Sequence, residues 1–222
     1  MPLRTRAFGI LVGPSIEATR SSRKKCPEHK STSIARFFCW CVHNVASDSQ
    51  QNLFLIAEIP GFTPQIGRLV SMMNYVRSTT LSAVASLGVD ELDYVHDAQS
   101  NSIGSLLLHL AAAEVGYQAV TFHGRGLDEE EKRRWSAALE LGDRARREIK
   151  GHELDYYVRT LEHVRGNTLV ELRQRNDEWL DDSTSSSSGQ RVNNYFKWFH
   201  VVGHEINHRG QIRWLRSRAT KR

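Results

Sequence analysis

The chain has 222 residues, of which 40% are hydrophobic and 25% charged, which is ordinary for a soluble globular protein with a hydrophobic core. No apolar run reaches the roughly 18 residues that a membrane span needs, so we expect no membrane partner. The formal net charge is +5, yet residues 1–50 hold eight of the 30 Lys and Arg residues and only three of the 25 acidic ones. Residues 51–222 therefore carry 22 of each sign, which argues against nucleic-acid binding by the fold.

The N-terminal residues differ in composition from the rest of the chain. They are rich in Ser, Arg and Lys and contain all three cysteines, Cys26, Cys39 and Cys41. We interpret residues 1–55 as a basic, disordered extension or as the product of a start codon assigned too far upstream. A transit peptide and a zinc cluster built on these cysteines are the alternatives. Because residues 51–222 contain no thiol, we expect no disulfide or cysteine nucleophile there, and a reducing compartment, the cytoplasm.

Residues 56–222 show apolar residues at helical spacing and no alternating strand pattern, which predicts an all-α domain. Thr63-Pro64, Asn101-Ser102 and Asp128 followed by three glutamates are typical helix starts. The polar run 181–189 indicates a flexible loop. We predict four long amphipathic helices and one or two short ones, which describes a four-helix bundle. The predicted helices cover residues 64–88, 103–122, 128–142, 153–180 and 195–216.

The last predicted helix carries three histidines four residues apart, His200, His204 and His208. A four-residue step returns to the same side of a helix, and the ~1.5 Å rise per residue places neighbouring imidazoles about 6 Å apart along the axis. His109 lies in the apolar pattern of the second long helix. Buried imidazoles cost free energy unless they are hydrogen-bonded or bind a metal. This pattern therefore indicates a metal site between two facing helices.

His204-Glu205-Ile206-Asn207-His208 also matches the H-E-x-x-H pattern of zinc proteases, in which the Glu activates water. The longer metzincin pattern fails, since Gln211 and Trp214 stand where Gly and His are required. No Asp, Glu or His follows His208, so a downstream third ligand does not exist. A metalloprotease is therefore the less favoured alternative.

Two stretches resemble the signature segments of the DinB/YfiT-like superfamily: 106–114, with sequence LLLHLAAAE, and 200–212, with sequence HVVGHEINHRGQI. Further similarity in 101–106, 117–122 and 159–169 extends the resemblance over roughly residues 60–218. That superfamily is a four-helix bundle with a divalent metal held by three histidines, and the motif carries over to His109, His204 and His208. The resemblance implies activities such as bacillithiol- or mycothiol-dependent S-transfer, maleylpyruvate isomerisation or amidase-like hydrolysis.

Three neutral imidazoles leave a divalent ion its full charge and at least one open position, as in catalytic sites. Water or thiol at that position would lose its proton near neutral pH. Imidazole ligands suit Zn²⁺, Ni²⁺ or Fe²⁺, and a sulfur nucleophile would have to arrive on a low-molecular-weight thiol.

The candidate catalytic residues are His200, Gln211 and Glu205. His200 and Gln211 lie one turn to either side of the ligand pair, although a hydrogen-bonded core histidine is the simpler interpretation of His200. Glu205 lies about 100° round the helix from His204, which favours orienting a ligand or pairing with an arginine.

We therefore expect a metal-dependent enzyme that activates a thiol or water for transfer to a small electrophilic substrate. A homodimer is compatible with this expectation. The alternative is a non-catalytic metal-binding module with a stress-response or dimerisation role.

Overall fold

Residues Gln51–Arg222 form one compact unit. The structure, a computed structural model, describes residues 52–185 and 189–219, which belong to this unit. The hypotheses for residues 1–55 are a disordered extension, a start codon assigned too far upstream, a transit peptide or a zinc cluster. All but the last four of these residues lie outside the described ones. The proposed domain boundary after residue 55 stays a prediction.

The described residues form eight helices and one two-stranded hairpin. Ser183–Ser185 and Arg191–Asn193 pair antiparallel, with Thr184 opposite Val192. The four long helices are α1 (Pro64–Val84), α3 (Ile103–Phe122), α6 (Leu154–Arg173) and α8 (Asn194–Ala219). The remaining elements are α2 (Val89–Leu92), α4 (Glu129–Glu140), α5 (Gly142–Glu148), α7 (Asp177–Asp181), β1 (Ser183–Ser185) and β2 (Arg191–Asn193).

The long helices pack as a bundle in which α3 contacts α6 and α8, and α1 contacts α8 and α6. The prediction of an all-α four-helix bundle is confirmed, and the described residues add four short helices rather than one or two. Helix α3 lies at the centre, with Leu107, Ala111 and Ala112 fully buried. Helix α3 is apolar and long enough to cross a membrane, but 67% of its most apolar 18-residue window is buried inside the bundle.

Two predicted helix starts have the expected hydrogen bonds. Ser102 caps α3 by accepting from the backbone N–H of Ser105 at 3.1 Å. Asp128 caps α4 by accepting from the N–H groups of Glu130 and Glu131. In the opposite direction, the Asp128 N–H donates to the Glu131 carboxylate. These side chains satisfy backbone donors that a helix start leaves without partners.

Two segments differ from the prediction. The single helix expected over 153–180 is two helices, because Asn176 starts α7 by accepting from the Trp179 N–H. The segment expected to be a flexible loop contains the two strands of the hairpin. The hairpin escapes prediction because a three-residue strand is too short to show alternation.

Candidate metal centre

Helices α3 and α8 bring three of the predicted histidines together. His109 lies in the middle of α3, while His204 and His208 lie one turn apart on α8. The ring centroid of His109 is 4.9 Å from that of His204 and 4.8 Å from that of His208. His204 and His208 are 4.4 Å apart by the same measure. The three half-buried imidazoles therefore form one cluster.

The ring nitrogens are spaced as ligands of one ion would be. His204 Nε2 lies 3.1 Å from the Nε2 atoms of both His109 and His208. One ligand atom from each of the three histidines lies within 4.8 Å of the others. A zinc–nitrogen bond of about 2.0–2.1 Å places two tetrahedral nitrogen ligands about 3.3 Å apart. The three residues could therefore hold a divalent cation.

The outer ring nitrogens of two histidines are held by hydrogen bonds. His109 Nδ1 lies 2.8 Å from the backbone carbonyl of Ala138, which can only accept, so Nδ1 carries the proton. His208 Nδ1 lies 3.0 Å from the side-chain oxygen of Gln211 and donates to it in the same way. When neutral, both rings then present the Nε2 lone pair toward His204. This is how ligand histidines are oriented in metal sites.

The protonation state also suits a cation. Burial lowers the pKa values of His109 and His208 below the ordinary value of 6.5. Burial, together with the neighbouring imidazoles, lowers the pKa of His204 to about 4. All three rings are therefore neutral at pH 7, and the unprotonated Nε2 atoms of His109 and His208 both face the Nε2 atom of His204, an arrangement that a cation at their centre would stabilise.

Glu205, between His204 and His208 in sequence, turns away into a buried ring of charges. The ring has one member from each long helix: Arg77 from α1, Glu114 from α3, Arg165 from α6 and Glu205 from α8. Arg77 donates to both oxygens of Glu205 at 2.9 and 3.2 Å, and Arg165 donates to Glu114 at 2.7 and 3.1 Å. The crossing pairs, Arg77 to Glu114 and Arg165 to Glu205, are 3.3 and 3.4 Å long.

This ring is fully satisfied. Each arginine also donates to a backbone carbonyl of a neighbouring helix, Arg77 to Leu161 and Arg165 to Met73. Although burial alone would raise the pKa of Glu114, the two arginines hold it below its usual range. With both oxygens accepting from arginine, Glu205 is not placed to activate water, which argues against the metalloprotease alternative.

The other two candidate catalytic residues lie beside the cluster. The exposed His200 ring stacks near His204, with centroids 5.8 Å apart, and lies 5.9 Å from the Tyr117 ring on α3. Gln211 is exposed and holds His208 through its amide oxygen. Of the three candidates, Gln211 therefore contacts His208 directly, and His200 flanks His204.

Sequence reasoning missed most of the supporting groups. Ala138 acts through its backbone carbonyl, which no side-chain pattern reveals. Arg77 lies 128 residues from Glu205, and the ring becomes visible only when the four helices are assembled. A signal was nevertheless present, since Arg77 and Glu114 interrupt otherwise apolar helix faces, and buried charges require partners.

Comparison with known proteins agrees with this architecture. A family model described as the DinB family matches residues 62–217, which span all four long helices. A solved structure of a conserved protein from Enterococcus faecalis is similar, with a TM-score of 0.56 and 16% identity over 69% of this chain and 96% of that one. At that identity the likeness shows the fold alone. A comparison with curated proteins finds no match. Because the family model covers well over half of the chain, the protein belongs to the DinB family.

Proposed function

We propose that the protein binds a divalent cation through His109, His204 and His208 and is a metal-dependent enzyme acting on a small electrophile. The observation that carries the proposal is the convergence of three Nε2 atoms with two of the rings fixed by outer hydrogen bonds. A cation held by three neutral imidazoles lowers the pKa of a water or thiol that reaches it. The donor set suits Zn²⁺, Ni²⁺ or Fe²⁺.

The proposed nucleophile is a low-molecular-weight thiol or water. Residues 51–222 contain no cysteine, so the bundle supplies no sulfur of its own. Transfer of the thiol to an electrophilic small molecule fits an open metal position beside the cleft between the start of α3 and the C-terminal half of α8, which Gln211 also lines. Gln211 and the Ala138 carbonyl would keep the ligand rings oriented, while His200 and Tyr117 would line the other side.

The second candidate function is non-catalytic metal binding. The specific observation in its favour is that Glu205, the carboxylate nearest the ligands in sequence, is fully engaged with Arg77 and Arg165. Within the described residues, the potential ligand group contains histidines only and no carboxylate. A metal-ligand group without a free carboxylate beside it would suit a structural or storage role.

Metal analysis tests the shared part of both candidates. Full-length protein stripped with a chelator and reloaded should retain about one divalent ion per chain after gel filtration. His204→Ala should abolish retention, while His163→Ala, an exposed histidine on α6, should leave it unchanged. Far-ultraviolet circular dichroism would check that both variants remain helical. Absence of bound metal in the wild type, or retention by folded His204→Ala, would overturn the proposal.

Turnover separates the two candidates. Metal-loaded protein would be incubated with bacillithiol, mycothiol or glutathione and monochlorobimane, and the fluorescent thioether would be followed. For the water route, release of p-nitroaniline from p-nitroacetanilide would be followed. Metal-dependent turnover that His204→Ala loses supports the enzyme, and its absence with all of these probes favours the non-catalytic role.

A further inference from the structure

A cavity of about 520 Å³ lies next to the histidine cluster, between the start of α3 and the C-terminal half of α8. Leu106 lies in its wall, one helical turn before His109. Gln211 also lies in its wall and accepts the hydrogen bond from His208. A molecule in this cavity would therefore lie beside the two helices that carry His109, His204 and His208.

The polar side chains of the cavity wall are all uncharged. Gln99, Asn101, Asn207 and Gln211 contribute four carboxamides, and Ser100 adds a hydroxyl. The oxygens of Asn101 and Gln211 already accept from the Gly142 N–H and from His208, which leaves their NH₂ groups and the whole carboxamides of Gln99 and Asn207 for a ligand. A carboxamide both donates and accepts, so it can match an uncharged partner of either kind but cannot neutralise an ion. No Asp, Glu, Lys or Arg lies among the described residues that line the cavity. A charged ligand group placed there would meet no opposite charge among the lining side chains.

Three charged side chains that contact lining residues have partners outside the cavity or in its backbone. The Asp97 carboxylate accepts from the Ser100 hydroxyl and from the N–H groups of Gln99 and Ser100. Arg146 pairs with Asp143 and donates to the Ser100 carbonyl at 2.8 Å. Arg218 lies over the Trp214 ring, 3.6 Å from its centroid, and donates to the Trp214 carbonyl. Both guanidinium groups are therefore occupied, and neither belongs to the lining.

Trp214 supplies the apolar wall. Its ring is fixed by Arg218 and by the His96 ring, whose centroid is 4.8 Å away at an interplanar angle of 81°. Leu106 and Leu215 continue the apolar surface. An apolar wall with a few convergent polar groups is the usual composition of a small-molecule site.

We propose that this cavity binds the uncharged, carboxamide-like part of a small ligand whose planar apolar body lies against Trp214. That this ligand is the substrate rests on the proposed function, while the preference for a neutral group rests on the cavity alone. The proposal assigns substrate recognition to Asn207 and Trp214 and leaves the metal-holding role to the histidines.

Three ligands of nearly the same shape and different charge test this preference. Benzamide is neutral, benzoate is an anion and benzamidine is a cation at pH 7. Binding to metal-free, full-length protein would be measured by the chemical-shift changes of the Trp214 indole N–H, assigned with Trp214→Phe. Benzamide should bind in roughly the millimolar range expected for so small a ligand. It should bind at least about tenfold more tightly than either ion, which corresponds to about 1.4 kcal/mol.

A single change in the wall should alter the preference. Asn207→Asp replaces one carboxamide by a carboxylate of the same shape, so benzamidine should become the tightest ligand. Asn167→Asp, the same substitution at an exposed position on α6, should leave the order unchanged. Trp214→Ala, followed through the Asn207 and Gln211 side-chain amide resonances, should weaken benzamide binding because it removes the apolar wall.

The outcomes separate this inference from the proposed function. Equal or tighter binding of benzoate or benzamidine to the unmodified metal-free protein would overturn the inference, as would no binding of benzamide or an unchanged order in Asn207→Asp. If the protein still retains a metal ion after any of these results, the proposed metal site is unaffected. Conversely, a protein that prefers benzamide but retains no metal would contradict the proposed function and leave the cavity assignment standing.

Discussion

At the scale of single residues, the histidine cluster depends on groups that are not themselves ligands. The Nδ1 atoms of His109 and His208 each donate outward, one to a backbone carbonyl and the other to Gln211. Such bonds fix the tautomer and the ring angle, and they make the inward nitrogen a stronger electron-pair donor to a metal. The Ala138 carbonyl cannot be removed by substitution, so Gln211 is the position at which this effect can be measured.

We predict that Gln211→Leu weakens metal binding without unfolding the protein. The substitution removes the acceptor of the His208 Nδ1 proton, and loss of such a partner commonly lowers metal affinity by about 10- to 100-fold. Competition with a chromophoric chelator would measure the change. Gln65→Leu, the same substitution at an exposed position on α1, serves as the control and should keep wild-type affinity. Equal affinities in the two variants would show that Gln211 does not orient the ligand.

The three histidines could be found from the sequence because their chemistry is carried by side chains at regular spacing. Two of them follow the four-residue repeat of α8, and the third interrupts an apolar helix that resembles a known motif. Their supporting contacts could not be found in this way. The Ala138 carbonyl lies 29 residues from His109 and depends on how α4 packs across α3, which spacing within one helix does not determine.

At the scale of the helices, α1 is capped by a residue from another element. The sequence predicts that Thr63 caps α1, and Thr63 does occupy that position, but its side chain makes no cap bond. Instead, the Asp177 carboxylate from α7 accepts from the N–H groups of Gln65 and Ile66 at 3.1 and 3.2 Å. The Thr63 hydroxyl also donates to it. A negative charge at this end also suits the helix dipole.

We predict that Asp177→Ala destabilises the protein by about 1 kcal/mol, the usual cost of losing a helix cap. Urea unfolding at pH 7 would measure the loss. Glu178→Ala, the adjacent exposed acid in α7, is the control and should change stability by less. If the two substitutions cost the same, the loss would belong to α7 itself and not to the bond with α1.

The contribution of Asp177 should also depend on pH. Burial alone would raise its pKa, but the hydrogen bonds from Thr63, Gln65 and Ile66 lower it below the ordinary value of 3.8. A carboxylate with a lowered folded pKa stabilises fully above its unfolded pKa and loses this effect as the pH falls through the folded value. The stability difference between wild type and Asp177→Ala should therefore be constant from pH 7 to about 5 and shrink below about pH 4. A difference that grows in acid would contradict this assignment.

Apolar spacing in the sequence predicts the long helices but not every helix boundary. Apolar spacing predicts the four long helices, because each buries one continuous face. It does not separate α6 from α7, because Leu172 and Leu180 are both buried and continue the pattern across the break. The sequence does mark the break, since Asn176 followed by two acids is typical of an N-cap and the first turn of a new helix. An interpretation based on apolar spacing alone does not use this signal.

At the scale of the whole molecule, the buried ring of charges connects all four long helices by hydrogen bonds at one level of the bundle. Ridge-and-groove packing of apolar side chains leaves neighbouring helices some freedom to slide, whereas each guanidinium–carboxylate pair has one preferred geometry. Two members of the ring, Glu114 and Glu205, lie on the helices that carry His109 and His204. The ring therefore helps to set the relative height of α3 and α8, on which the spacing of the Nε2 atoms depends.

We predict that removing one arginine from this ring is far more damaging than removing an exposed ion pair. Arg77→Met leaves Glu205 with one long bond to Arg165 in a buried setting, and breaking a buried pair from one side typically costs about 3–5 kcal/mol. Arg68→Met, on the same helix, removes an exposed pair with Glu58 and should cost well under about 1 kcal/mol. Urea unfolding of metal-free protein would compare the two.

Metal affinity then shows whether the ring of charges sets the relative height of α3 and α8 or only stabilises the fold. If the ring sets the height of α8 against α3, folded Arg77→Met should bind metal more weakly, and its Co²⁺ spectrum should shift, because the histidine nitrogens no longer meet at one point. Arg68→Met should keep the wild-type spectrum and affinity. A destabilised Arg77→Met that still binds Co²⁺ with unchanged spectrum and affinity would show that apolar packing alone aligns the two helices.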